Sequence, residues 1–127
     1  MTTAVLKFIK EAMDSVGISY EFMEFTSSIT SLHSYWVGSY SEVTPIAEDG
    51  MQETQFILTG TGKGKWFDLE KEKTKIEQLF PMVGGKTAIL DNGSGVAVFY
   101  GNAFPVPTGD VLLKRLQVNL IVKEWRK

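Results

Sequence analysis

The run VLLKRLQVNLIVKEW, Val111 to Trp125, constrains the fold more than any other stretch. Leu116, Val118, Leu120 and Val122 fall on one side of an extended chain. Arg115, Gln117, Asn119 and Lys123 fall on the other, with Ile121 among them. A side-chain period of two over that length is the pattern of a long strand with one face in the core and one in water. Whatever else the chain forms, it contains a sheet that is covered on one side.

The remaining pattern supplies the cover. Val5, Ile9, Ala12 and Val16 recur at helical spacing with Leu6 and Met13 beside them, which predicts a helix over residues 3–16 ended by Gly17. Three strands are expected next: Ile18 to Phe25, Ser34 to Val43 with a bulge at Gly38, and Met51 to Thr59. In KWFDLEKEKTKIEQLF, Trp66, Leu69, Ile76 and Phe80 share one face, Lys73 fills the gap in the stripe, and Pro81 stops the helix. KTAIL and VAVFY flank DNGSG, where Asn92-Gly93 signals a hairpin. The expectation is a single α+β domain over 1–127, in the order αβββαβββ. Its mainly antiparallel sheet carries two amphipathic helices on one face. Val5, Ile9, Ala12, Val16, Phe56, Leu58, Leu69, Ile76, Val98, Leu116, Val118 and Leu120 are its expected core.

Chemistry is scarce. The absence of cysteine among 127 residues excludes a disulfide framework, thiolate zinc sites and a cysteine nucleophile. No apolar run is long enough to span a membrane, and the N-terminal stretch lacks the pattern of a signal peptide. The stretch LTGTGKGKW, Leu58 to Trp66, raises the question of a phosphate loop. A Walker loop needs four residues between its first Gly and the Gly-Lys pair, then Ser or Thr. Gly60 to Gly64 leaves three, and Trp66 stands where the hydroxyl belongs. A dinucleotide fingerprint fails at Lys65, which occupies the place of its third glycine. The glycines read as a flexible connection permitting positive φ. His33 reads as a solvated loop histidine, and Glu48-Asp49-Gly50 as a solvated turn without calcium-loop spacing. Tyr20, Phe22, Phe25, Tyr35, Trp36 and Tyr40 read as core and cross-strand packing, with an aromatic-lined pocket as the minor alternative. No catalytic, cofactor-binding or metal-binding residue is expected.

Charge is unevenly placed. Residues 1–62 hold two Lys and eight Asp or Glu, a net of −6, and residues 63–127 hold eleven Lys or Arg and seven Asp or Glu, a net of +4. The overall −2 argues against a specific nucleic-acid binder. Two patches of opposite sign can meet another copy or a partner. The acidic set is Glu42, Glu48, Asp49 and Glu53. The basic candidates are Lys63 and Lys65, or Lys114, Arg115, Lys123 and Arg126.

The run from Tyr35 to Pro81, 47 of the 127 residues, resembles small proteins encoded by tailed phages and prophages of Gram-positive bacteria. The features that carry it are the aromatic-x-Gly-x-Tyr strand at Trp36–Tyr40, the Glu48-Asp49-Gly50 turn and the Gln52-Glu53-Thr54-x-Phe56 strand. The Thr59-Gly60 turn and the Trp-containing charged helix complete them. Length and element order are similar to the tail-completion group, comprising tail terminators and head–tail joining proteins; a neck or minor virion protein fits nearly as well. The resemblance implies a non-enzymatic subunit of a ring, typically hexameric, that contacts copies of itself, the tail tube protein and the head connector. It implies residence in the bacterial host cytoplasm during assembly, then in the virion. The rivals are a small ligand-binding or enzymatic α+β domain and a bacterial regulatory or toxin–antitoxin-like partner.

Overall fold

The computed structural model describes residues 1–23, 34–42 and 45–126. Among them the chain forms α1 (Thr3–Ser15), β1 (Tyr20–Phe22), β2 (Ser34–Glu42), β3 (Met51–Gly62), α2 (Trp66–Leu79), β4 (Lys86–Ile89), β5 (Gly95–Pro105) and β6 (Lys114–Trp125). The fold is α+β, two helices with one six-stranded sheet in the order β1-β2-β3-β6-β5-β4. Phe25, Val43 and His33, with the polar loop around that histidine, lie outside the described residues.

The alternation of β6 has the expected consequence. Leu116, Val118, Leu120 and Val122 are buried, and they meet Phe56 and Leu58 of β3, Val96, Val98 and Tyr100 of β5, and the inner faces of both helices in one cluster. From α1 come Val5, Ile9, Ala12 and Met13; from α2 come Leu69 and Ile76, followed by Phe80. Val16, expected in the core, is only partly buried at its margin. Helix α1 ends where Gly17 takes φ +75°. The Gly17 N–H donates to Asp14 O at 3.0 Å and Ile18 N–H to Met13 O at 3.3 Å, closing the last turn. Gly93, at φ +85°, turns the β4–β5 hairpin as Asn92-Gly93 predicts.

Three expectations are corrected. The sheet is mixed, because β1 runs parallel to β2 in the register Tyr20↔Trp36. Trp36 N–H donates to Ser19 O and Met23 N–H to Gly38 O, at 2.8 and 2.7 Å. Packing explains that register. The buried Tyr20 ring reaches under Gly38, where an added Cβ would sit 2.5 Å from the phenol oxygen and 2.7 Å from Phe56. Gly38 is therefore no bulge; it pairs with Leu58 in unbroken register. The bulge lies in β5, between Tyr100 and Asn102.

Third, Gly60 and Gly62 belong to β3, and neither they nor Gly64 adopt positive φ. Gly60 faces the core, and an added Cβ would lie 2.6 Å from the Trp36 indole. The glycine is a vacancy shaped for a tryptophan, not a hinge. Gly60→Ala is therefore expected to destabilise the protein by ~1–3 kcal/mol through overpacking. A flexible connector would respond in the opposite direction, gaining ~0.4–1 kcal/mol from a stiffer unfolded chain. Urea unfolding of the two proteins reads the sign.

Candidate interaction surface

Among the described residues the second face of the sheet carries no helix, and its residues follow from the register. Across the middle run Ser39 (β2), Ile57 (β3), Asn119 (β6) and Asn102 (β5). The next row is Ser41, Gln55, Ile121 and Phe99; beyond it come Glu53, Lys123, Ala97 and Thr87, then Met51, Trp125, Gly95 and Ile89. The β5 bulge shapes this face. By inserting Gly101, it turns Asn102 and Phe104 outward, opposite Asn119 and Gln117. A chain of amides results: Gln117 Nε2 donates to Asn119 Oδ1 at 3.0 Å, and Asn119 Nδ2 donates to Asn102 Oδ1 at 2.8 Å.

Toward the β4 edge the face turns apolar. Ile89, Ala97, Phe99 and Trp125 line an open hollow of about 460 Å³. Gly95 forms its floor: an added Cβ would touch Trp125 at 3.8 Å and Ile89 at 3.9 Å. The Lys123 ammonium lies 5.7 Å from the centre of the Phe99 ring, over the rim of this region. Ile89 is 78% exposed. Ile89, Phe99 and Trp125 thus form one apolar patch rather than scattered surface residues.

The charged residues singled out in the sequence separate to two ends of the sheet. Glu48 and Asp49 lie in the turn before β3, held by Met51 N–H donating to Asp49 Oδ1 at 3.1 Å and Gly50 N–H to Ala47 O at 2.9 Å. Glu42 ends β2, and the Met1 ammonium beside it holds its carboxyl below the usual range. Glu53 sits two residues into β3. At the far end of β3, roughly 36 Å away over twelve residues, lie exposed Lys63 and Lys65, with Lys114 paired to Gly62 and Arg115 to Thr61. Lys123 and Arg126 stay among the acidic residues: Lys123 is opposite Glu53, and Arg126 Nη2 donates to Gln52 Oε1 at 2.8 Å. The basic strip is thus Lys63, Lys65, Lys114 and Arg115.

One buried carboxylate escaped the sequence reading. Glu124, 2% exposed, continues the inward series of β6. It accepts from Thr2 Oγ1 at 2.7 Å and Thr2 N–H at 3.3 Å, at the amino end of α1. A negative charge there complements the helix dipole and ties α1 to the end of β6. Its even-numbered place in the alternation was the available signal. Among the described residues no three Asp, Glu or His side chains gather as a metal would require, and no helix is long and apolar enough to cross a membrane.

Protein-family models give no match to the chain, and a search of curated proteins gives none.

Of the aromatics of the first strands, Tyr20 and Trp36 lie in the core as expected, Phe22 and Tyr35 are half-buried, and Tyr40 is exposed. Phe22 stacks on Tyr40 and Phe56 with ring centroids 6.0 and 6.4 Å apart. Among the described residues the buried Tyr20 hydroxyl finds no hydrogen-bond partner, and burial pushes its pKa up. The unfolded chain therefore loses that proton first. The associated stability is complete below about pH 10 and is lost as pH rises further. Tyr20→Phe is expected to raise stability at pH 7 by up to ~1 kcal/mol and to flatten the decline above pH 10, both measurable by chemical unfolding across pH.

Proposed function

We propose that the protein is a non-enzymatic structural subunit of a phage particle, of the tail-completion or head–tail joining kind. It assembles with copies of itself at the end of the tail tube and contacts the tube protein and the head connector. Assembly begins in the host cytoplasm and ends in the virion. The observation that carries the structural half of this reading is the separation of charge along one sheet. Glu48, Asp49 and Glu53 stand at one end, with Lys123 and Arg126 among them, and Lys63, Lys65, Lys114 and Arg115 at the other. A ring needs a heterologous contact between two different patches of the same subunit. Opposite charges at the two ends steer subunits into that orientation. The likeness of Tyr35–Pro81 to phage-encoded proteins supports the choice of particle.

Co-sedimentation with purified tail tubes and connectors tests the reading. Binding is expected at low salt and should weaken as the Debye length shrinks from about 10 Å at 0.1 M to about 3 Å at 1 M. The pair Glu48→Lys with Asp49→Asn makes the acidic turn net positive. It keeps a side-chain oxygen for the Met51 N–H, so the turn is expected to persist. Its affinity should fall about tenfold, as ~1.4 kcal/mol from two rim charges predicts. A protein that ignores both tube and connector at low salt is not such a subunit, and the ligand-binding alternative then takes precedence.

A further inference from the structure

The sheet ends at β4, and the outer edge of that strand is open. Leu90 N–H donates to Ser94 O at 2.8 Å, which fixes the phase of the β4–β5 ladder. In the register Lys86↔Val98 to Ile89↔Gly95, Lys86 and Ala88 therefore bond to β5. Thr87 and Ile89 turn their N–H and C=O groups away from it. Among the described residues no other group bonds to these two donors and two acceptors. Tyr100 N–H, next in phase on β5, reaches Phe80 O at 2.9 Å, so the open edge is confined to β4. Unpaired donors and acceptors along a sheet edge are a template for one more strand.

Two depressions lie along this edge, one on each face of the sheet. On the open face is the hollow of about 460 Å³ walled by Ile89, Phe99 and Trp125. On the other face a groove of about 220 Å³ runs between β4 and α1, with Ala88 and Leu90 on one side and Ala4, Phe8 and Glu11 on the other. Successive side chains of a strand point to opposite faces. A strand laid beside β4 would therefore send alternate side chains into the hollow and the groove. An extended peptide is the ligand that addresses both of them and the unpaired backbone between them. Charge does not select the occupant: Lys7, Lys86 and Lys123 stand nearby with Glu11 and Asp91, and Lys7 pairs with Glu11 at 3.9 Å. Nor does the edge suit a second folded copy. It is four residues long, whereas each side of a standard protein–protein contact buries roughly 800 Å².

We propose that the β4 edge binds a short extended segment of a partner polypeptide as an antiparallel seventh strand. The residues opposite Thr87 and Ile89 exchange N–H and C=O bonds with them. Their side chains fall on the open face against Ile89, Phe99 and Trp125, where branched aliphatic groups are covered best. The residue between them faces the α1 groove, where the half-buried Phe8 ring lies between Lys7 and Glu11. Threonine suits that place, with a methyl for the ring and a hydroxyl for the charges. The recognised class is thus an extended segment alternating aliphatic with small polar residues. This site goes beyond the assembly reading and does not rest on it.

The capped peptide Lys-Thr-Ile-Thr-Ile-Thr-Lys, titrated into the whole chain by calorimetry, tests the proposal. The unmodified peptide is expected to bind. N-methylation of both isoleucines removes the two donors aimed at β4 and should weaken binding at least about tenfold. N-methylation of the threonine between them, whose N–H points away, should leave binding unchanged. Thr87→Pro removes an outward N–H that the fold does not use, and an edge strand accommodates proline there. It should bind at least about tenfold more weakly, while Thr87→Val, which keeps the N–H, binds as the unaltered protein does. If the proline disturbs the strand, the methylated peptides decide alone. In amide exchange, Thr87 and Ile89 should gain protection when the peptide is added, while Ala88, already bonded to β5, stays the same. Absence of binding by the unmodified peptide overturns the proposal, as does equal loss from the two methylation patterns. Protection of Thr87 and Ile89 that rises with protein concentration without peptide would give the edge to a second copy and overturn it too.

Discussion

The pairing of β3 with β6 is the constraint on which the rest of the molecule depends. Twelve residues of each strand run in unbroken antiparallel register, from Met51↔Trp125 to Gly62↔Lys114. A slip of β6 by one residue would exchange its two faces, placing Arg115, Gln117 and Asn119 in the core. The aliphatic series Leu116 to Val122 and its partners Phe56 and Leu58 forbid that slip. Once the register is set, so are the helix-covered face, the amide row on the open face and the distance between the charged ends. Glu124 closes the arrangement by holding the start of α1.

Features whose cause lies within a few residues were legible in the sequence. The two faces of β6, the stop at Gly17 and the hairpin at Asn92-Gly93 each follow from local pattern. Features whose cause lies across the fold were not. Alternation says which way a side chain points but not which strand lies beside it, so the insertion of β6 between β3 and β5 and the parallel pairing of β1 were beyond reach. Gly60 shows the same limit at one residue. A glycine among glycines and lysines reads as a loop, while its actual reason is the indole of Trp36, which the chain brings back from another strand. Gly38 looked like a bulge for want of the Tyr20 ring beneath it.

The interaction surface was half legible. The charged residues were visible as a charge split, and the structure sorts them, sending Lys123 and Arg126 to the acidic end and leaving four cations at the other. The apolar component was missed. Ile89 and Trp125 read as ordinary strand residues, and only the register makes them neighbours around Gly95. The polar centre of the open face and its apolar corner are compatible with a contact that forms and separates, since the core itself is completed on the other side.

The central claim is that the two charged ends of the sheet, not the outer faces of the helices, meet the next molecule. Amide hydrogen exchange, compared at low and high protein concentration in low salt, addresses it most directly. The account predicts that protection rises together in residues 47–53, 61–65 and 113–116 as concentration increases, while exchange from α1 and α2 stays the same. Protection gained over the outer faces of the helices, or no dependence on concentration in those three segments, would contradict it.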